Sequence, residues 1–308
     1  MNLATREAYG NTLVELKDKE NVVVLDADLG HATKSWNFKK ICPERYFNMG
    51  IAEADMIATA AGLSTCGKIP FVSTFSVFAT GRAFDQIRNS VCYPNLNVKI
   101  VGTHAGISVG PDGGTHQSIE DIALMRSLPN MSIICPSDDV EARASVLAAT
   151  EIKGPIYLRM GRGATPTYHG ENYHFKFGKG EIIEDGEDVT IIATGMMVVR
   201  AIEAMKQLKL EGINSRVVNM HTIKPLDEKL VIDSAKKTGK IVTVEEASIY
   251  GGLGSAVSEV VTEYYPVIVK KIGVKDKFGK SGDPDKLFEE YELTMQNIIS
   301  TVKSILNY

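Results

Sequence analysis

Thr103-His104-Ala105-Gly106-Ile107-Ser108-Val109-Gly110-Pro111-Asp112-Gly113-Gly114-Thr115-His116-Gln117 decides how this chain is read. An apolar run at residues 98–101 precedes it, and a helical pattern at residues 119–126 follows. The segment is therefore expected to be a loop at the carboxyl end of a strand, where open α/β sheets bind ligands. Its glycines allow close backbone approach and unusual torsions. His104, Asp112 and His116 supply donors, acceptors and a switchable charge. The plainer reading is that these groups only satisfy the loop's own backbone.

Outward from this loop, strand-like and helical patterns alternate. Strands are expected at residues 22–25, 69–74, 98–101, 132–135 and 156–158. Helices are expected at residues 1–17, 51–66, 83–91 and 119–126, the last capped by Ser118. Ser137 can cap the next helix, with Asp138, Asp139 and Glu141 at its positive end. Periodicity then fades, and residues 166–187 read as a linker rich in Gly, Pro, Tyr and His. Alternation resumes with strands at 189–193, 216–220, 241–244 and 267–272, a turn at 224–226, and helices at 198–210, 227–237, 255–264, 285–291 and 294–306. Such alternation predicts an α/β protein with two domains, residues 1–165 and 188–308, each a largely parallel sheet covered by helices.

Composition narrows the class. The 308 residues suffice for two domains, and 44% hydrophobic with 23% charged residues is ordinary for a globular chain. A net charge of −4 argues against nucleic-acid binding, yet a few local arginines could hold a phosphate. No apolar run approaches a membrane span, so no membrane partner is expected. Cys42, Cys66, Cys92 and Cys135 lack metal-ligand spacing, so reduced thiols, no metal site and a cytoplasmic location are the expectation. Gly251-Gly252-Leu253-Gly254-Ser255 lacks the third glycine of a dinucleotide fingerprint and reads as a turn opening a helix.

The 103–117 loop resembles the pyrimidine-binding domain of transketolase and of its relative 1-deoxyxylulose-5-phosphate synthase. Two further segments are similar to that family in the same order: Phe47-Asn48-Met49-Gly50-Ile51-Ala52-Glu53, and residues 70–88 with Thr74-Phe75-Ser76-Val77-Phe78 and Arg82-Ala83-Phe84-Asp85-Gln86. Ala52 and Ala54 flank Glu53, and Gly81 precedes Arg82, which brings these stretches nearer the synthase branch.

The resemblance implies thiamine diphosphate as cofactor and assigns roles. Glu53 would be catalytic, hydrogen-bonding the aminopyrimidine ring; alone it reads as a first-turn glutamate favoured by the helix dipole. Phe75 and Phe78 would pack around that ring, although core packing is the default for such residues. Arg82 would stay near the pocket, as would Arg88; otherwise both are surface cations. Asp28 would sit at a subunit contact near the cofactor. His31 reaches the site or caps a turn. His104 would help bind a sugar phosphate. Asp112 would accept from a substrate hydroxyl, and His116 would lie against the hydroxyls near the reacting carbonyl. Arg159 or Arg162 would clamp phosphate through the planar fork of donors, with Arg162 preferred by its spacing from Pro155.

A full-length transketolase also needs a diphosphate-binding domain, marked by Gly-Asp-Gly. That tripeptide does not occur here. The resemblance therefore implies the C-terminal subunit of a split transketolase in carbohydrate metabolism of the pentose phosphate type. A separate N-terminal subunit would carry the diphosphate domain and bind Mg2+ or Ca2+, in an α2β2 assembly acting on sugar phosphates. A β subunit of a 2-oxo acid dehydrogenase, a deoxyxylulose phosphate synthase-like enzyme and a non-catalytic paralogue are the alternatives.

Overall fold

The computed structural model describes residues 2–170 and 172–307. Its strands, in chain order, are β1 (Val22–Asp26), β2 (Tyr46–Asn48), β3 (Ile69–Phe75), β4 (Lys99–Thr103), β5 (Ser132–Ile134), β6 (Ile156–Arg159), β7 (Glu181–Glu184), β8 (Val189–Ala193), β9 (Ser215–Asn219), β10 (Thr222–Lys224), β11 (Lys240–Ser248) and β12 (Ile268–Val274). They form two sheets, β10-β5-β6-β4-β3-β1-β2 and β12-β11-β8-β9-β7. Every pairing is parallel except at one edge of each sheet, where β10 runs antiparallel to β5 and β7 antiparallel to β9. The expected α/β architecture of two helix-covered sheets is what the chain adopts.

Period-two alternation explains why strands such as Val22-Val23-Val24-Leu25 must be buried on both sides. Val23, Leu25, Val72 and Ile100 face one hydrophobic core, while Val22, Val24, Phe71 and Val101 face another on the opposite side of the sheet. Successive side chains of a strand point to opposite faces, so a sheet covered twice requires a continuous apolar run. The second sheet is likewise flanked by two cores, with Ile191 in one and Ile192 in the other. Among the described residues, no helix is long and apolar enough to cross a membrane.

Three local expectations are corrected. Ser118 does not cap the helix Asp121–Arg126; Glu120 holds the N-cap position without a side-chain bond, and the Ser118 hydroxyl is buried. Asp138, not Ser137, caps the helix Asp139–Glu151 by accepting from the Glu141 N–H. The helix expected over residues 83–91 is a single α turn, Phe84–Gln86, between wider π turns at Phe78–Arg82 and Ile87–Cys92.

Both antiparallel edge strands, β7 and β10, lie where the sequence shows no strand signal. Residues 181–184 fall in the stretch read as a linker, yet they pair with β9. Residues 222–224 abut the expected turn, yet they cross from the second domain to extend the first domain's sheet. Ile223 is buried in the first domain's core, and the Lys224 ammonium donates to the carbonyls of Arg126 (2.9 Å) and Leu128 (2.6 Å).

Phe71 is fully buried at the centre of the first sheet, between β1 and β4. Phe71→Ala is expected to lower stability by about 3–5 kcal/mol, through lost transfer energy plus the cavity. A urea midpoint unchanged from wild type would contradict this packing.

Candidate active site

The site lies at the carboxyl ends of β1, β2, β3 and β4. After β1, the buried Asp26 carboxylate gathers the chain by accepting from Leu29 N–H (2.6 Å), Thr33 Oγ1 (2.9 Å) and Ser35 Oγ (2.8 Å). Burial pushes its pKa up despite those bonds. This turn places exposed Asp28 at φ +61°, accepting from Asn48 Nδ2 at 2.9 Å. After β2, Gly50 takes φ +71°, and the helix Glu53–Thr65 begins with Glu53 as its first residue.

Glu53 is only 4% exposed, and Arg82 Nη1 donates to its Oε1 at 3.1 Å. Arg82 is half exposed and also caps the Phe78 ring, with its guanidinium carbon 4.0 Å from the centroid. A planar cation over an aromatic face is favourable and leaves the donors free to turn sideways. The wall continues from there. Phe78 stacks on Phe75 at 5.7 Å, and Phe75 stacks on His104 at 3.9 Å. His116 meets both phenyl rings edge-on, at 5.3 Å and 6.3 Å. Glu53, Arg82, Phe78, Phe75, His104 and His116 thus form one continuous surface, although 63 residues separate the first from the last.

The second domain shapes the glycine-rich loop. Glu246 Oε1 accepts from Ser108 N–H at 2.6 Å. Gly106, at φ +78°, passes so close that an added Cβ would lie 2.3 Å from the Glu246 carboxyl carbon. Gln117 Nε2 donates to the carbonyls of Ile107 (3.1 Å), Gly110 (3.3 Å) and Lys280 (2.9 Å). Ser281 Oγ donates to Pro111 O at 2.7 Å. The loop's glycines are therefore used for close approach to the second domain.

The candidate cations separate clearly. Arg159 is buried, and its Nε donates to Asp121 Oδ2 at 2.7 Å while Nη2 donates to Glu246 O at 3.0 Å. Its donors are committed between the two sheets, so the phosphate role considered for Arg159 does not fit; burial in the domain junction is the reason. Arg162 is half-buried and donates to Val109 O. Arg6, which no sequence motif singles out, donates to Arg162 O (3.1 Å) and Ala32 O (2.6 Å). Burial pushes the His104 imidazole down to about 3, and the charges of Arg6, Arg162, Lys34 and His116 push in the same direction. His104 is consequently neutral at physiological pH, with Nδ1 hydrogen-bonded to Thr103 Oγ1 at 2.9 Å. Arg6 and Lys34 are the neighbours that sequence reasoning missed.

Other residues stand apart. His31 stacks on Trp36 at 4.4 Å and is not among the rings of the wall. Arg88 is exposed and donates to its neighbour Asn89. Asp112 is exposed at the end of the turn Ile107–Asp112 and accepts no side-chain hydrogen bond among the described residues. The glycines at 251–254 bind no external anion. The N–H groups of Leu253 and Gly254 both donate to the buried Glu245 carboxylate at 2.8 Å, which occupies that helix N-terminus from within.

A buried glutamate, an aromatic wall and a basic rim at the carboxyl ends of parallel strands mark an α/β protein with a ligand site at that edge. Comparison with known proteins makes the class specific. Residues 1–167 match the family described as transketolase, pyrimidine binding domain, and residues 178–298 match transketolase, C-terminal domain. The chain belongs to the transketolase family. It is 50% identical over 301 residues to a putative transketolase C-terminal section of Methanocaldococcus jannaschii, covering 96% of this chain and 94% of that one. It is 42% identical over 301 residues to a 6-deoxy-6-sulfo-D-fructose transketolase subunit of a Clostridium species, covering 97% and 94%. A solved structure described as a split gene transketolase, inactive beta4 tetramer, superposes with TM-score 0.91 at 51% identity, covering 100% of this chain and 99% of that one.

Two outcomes follow from the geometry. Because native His104 titrates near 3 and an unfolded histidine near 6.5, acidification between those values protonates only the unfolded chain and costs stability. The ring resonances of His104 are expected to stay flat from pH 8 to about pH 5, and a midpoint near 6.5 by NMR would refute the burial argument. Gly106→Ala is expected to lose about 1–3 kcal/mol of stability through strain, before the clash with Glu246 is added. Gly62→Ala, on an open helix face with no atom within 4 Å of the new methyl, should be neutral or mildly stabilising. Equal denaturation midpoints for the two variants would contradict the close approach.

Proposed function

We propose that this chain supplies the pyrimidine-binding half of a thiamine diphosphate site, and that a second polypeptide supplies the diphosphate-binding half. The assembled pair transfers a two-carbon ketol unit from a ketose phosphate to an aldose phosphate. The observation that carries the proposal is the buried Glu53 carboxylate at the foot of the Phe75–Phe78 wall. Among the described residues Arg82 is its sole side-chain hydrogen-bond partner.

The residues fit the proposed coenzyme. A flat heteroaromatic ring packs well against phenyl faces, and a buried carboxyl group with an oxygen left free by Arg82 can share a proton with a ring nitrogen. Thiamine diphosphate, when bound, supplies the carbon nucleophile and electron sink for breaking the bond beside a ketone. Glu53 would hold the ring nitrogen by sharing a proton with it through a carboxyl oxygen. Arg82 orients that carboxylate. Asp28 lies at the rim, toward the proposed subunit contact.

Substrate contacts come from the loop. Neutral His104 offers Nε2 for a hydroxyl or phosphate oxygen, because Nδ1 is already engaged by Thr103. His116 hydrogen-bonds hydroxyls near the reacting carbonyl, and Asp112 selects their stereochemistry. Arg162, with Arg6 and Lys34 near His104, makes a positive field for the anionic end of the sugar. The name of the Clostridium relative describes a sulfonated ketose, so the anionic end is a phosphate or an isosteric sulfonate. The diphosphate's metal, Mg2+ or Ca2+, is assigned to the N-terminal subunit in an α2β2 assembly.

Reconstitution with a partner chain containing Gly-Asp-Gly tests this. Ketol transfer is expected only from the mixture, and Glu53→Gln should lower kcat by about 10²–10⁴-fold. Turnover by this chain alone, or full activity of the Glu53→Gln complex, would overturn the proposal. Turnover of 2-oxo acids in place of ketose phosphates would overturn the substrate assignment alone.

A further inference from the structure

A second cluster of chemistry-bearing side chains lies where the two domains and their connecting segment meet. His169 is buried, with its ring between those of Tyr168 and Tyr173, each 4.0 Å away. Its Nδ1 is 2.9 Å from Asp138 Oδ2, and its Nε2 is 2.8 Å from Glu181 Oε2. Asp138 also accepts from the backbone N–H of Tyr168 and of His169, both at 3.0 Å. Its carboxylate therefore fixes the ring and keeps the hydrogen on Nδ1. Glu141 completes the group: one donor atom each from Glu141, His169 and Glu181 lies within 4.8 Å of the others.

The charges do not balance. Three carboxylates, those of Asp138, Glu141 and Glu181, converge on one imidazole. Among the described residues no lysine or arginine pairs with any of them. Glu141 is fully buried and is held by neutral donors only: Ser137 N–H and Oγ (both 2.7 Å), Tyr173 OH (2.6 Å) and Asn219 Nδ2 (2.9 Å). Buried carboxylates without cations are costly unless they are paired or bind a metal.

We propose that Glu141, His169 and Glu181 bind a divalent cation of the zinc class, which replaces the proton between His169 Nε2 and Glu181. Two carboxylates and a neutral imidazole match a charge of +2 and form a donor set that suits zinc. Asp138 is the outer carboxylate that metal-bound histidines commonly engage through their other nitrogen. A cavity lined by Tyr168, Gly170, Asn172, Tyr173 and Ile182 adjoins the group and leaves room for a water ligand. The ion bridges the helix Asp139–Glu151 of the first domain to strand β7 of the second through the connecting segment. It acts as a clasp between domains, independent of the Glu53 site.

The test uses the full chain, stripped with chelator and then dialysed against low-micromolar free Zn2+. Bound metal by elemental analysis and the thermal midpoint are the readouts. One zinc per chain and a midpoint raised by several degrees are expected. Glu181→Gln and His169→Gln should each lower occupancy at least tenfold and abolish the shift. Glu181 sits on a partly exposed edge strand, so its variant keeps the fold if His169→Gln does not. Absence of bound zinc in the wild-type chain, or equal occupancy and shift in Glu181→Gln, would overturn the proposal.

Discussion

Arg159 is the residue on which the rest of the architecture hangs. It ends β6, and its guanidinium is buried where the two sheets meet. Asp121 accepts from it and also from Tyr157 OH, each at 2.7 Å, while the Glu246 carbonyl takes a further donor at 3.0 Å. Leaving one charge of such a buried pair without its partner costs on the order of 3–5 kcal/mol. The pair fixes the guanidinium within the first domain, and its Nη2 then reaches across to the Glu246 carbonyl of the second. The docked second domain delivers the Glu246 carboxylate to Ser108 and the 279–282 segment to the glycine-rich loop. A loop with so many glycines would otherwise have many conformations; its shape comes from the neighbouring domain.

The electrostatics of the site follow from the same burial. His104 sits under Phe75 and beside cations from three separate segments, so it keeps its ring neutral at physiological pH. A neutral imidazole can act as donor or acceptor without bringing charge into an aromatic wall. Glu53 differs, because its one bonded partner, Arg82, is half exposed and can turn aside. The site thus holds a neutral polar wall, a basic rim and one buried carboxylate that is paired with the half-exposed Arg82.

Much of this arrangement was legible from residue order. The apolar runs announced the buried strands because each must present side chains to two cores. Glu53, Phe75, Phe78, Arg82, His104 and His116 were singled out by motif, and the fold brings them onto one surface. Arg159 and Arg162 were both phosphate candidates, two cations after a strand, with Arg162 preferred by spacing alone. They differ because only Arg159 reaches the junction between sheets. Arg6 and Lys34 were missed since nothing in a first helix and a turn points to a loop 70 or more residues further on. Ser118 looked like a helix cap, but the chain needed it buried beneath the loop.

Residue order by itself determined the buried parallel strands of both sheets, where the glycine-rich loop falls and which polar side chains gather beside it, since periodicity and glycine placement are local properties. Tertiary structure alone decided that residues 222–224 close the first domain's sheet, that Glu245 fills the helix start at Gly252–Gly254, and that His169 stands among three carboxylates. Each of those outcomes depends on desolvation and on charges brought together from distant parts of the chain, and neither is a property of a residue and its sequence neighbours.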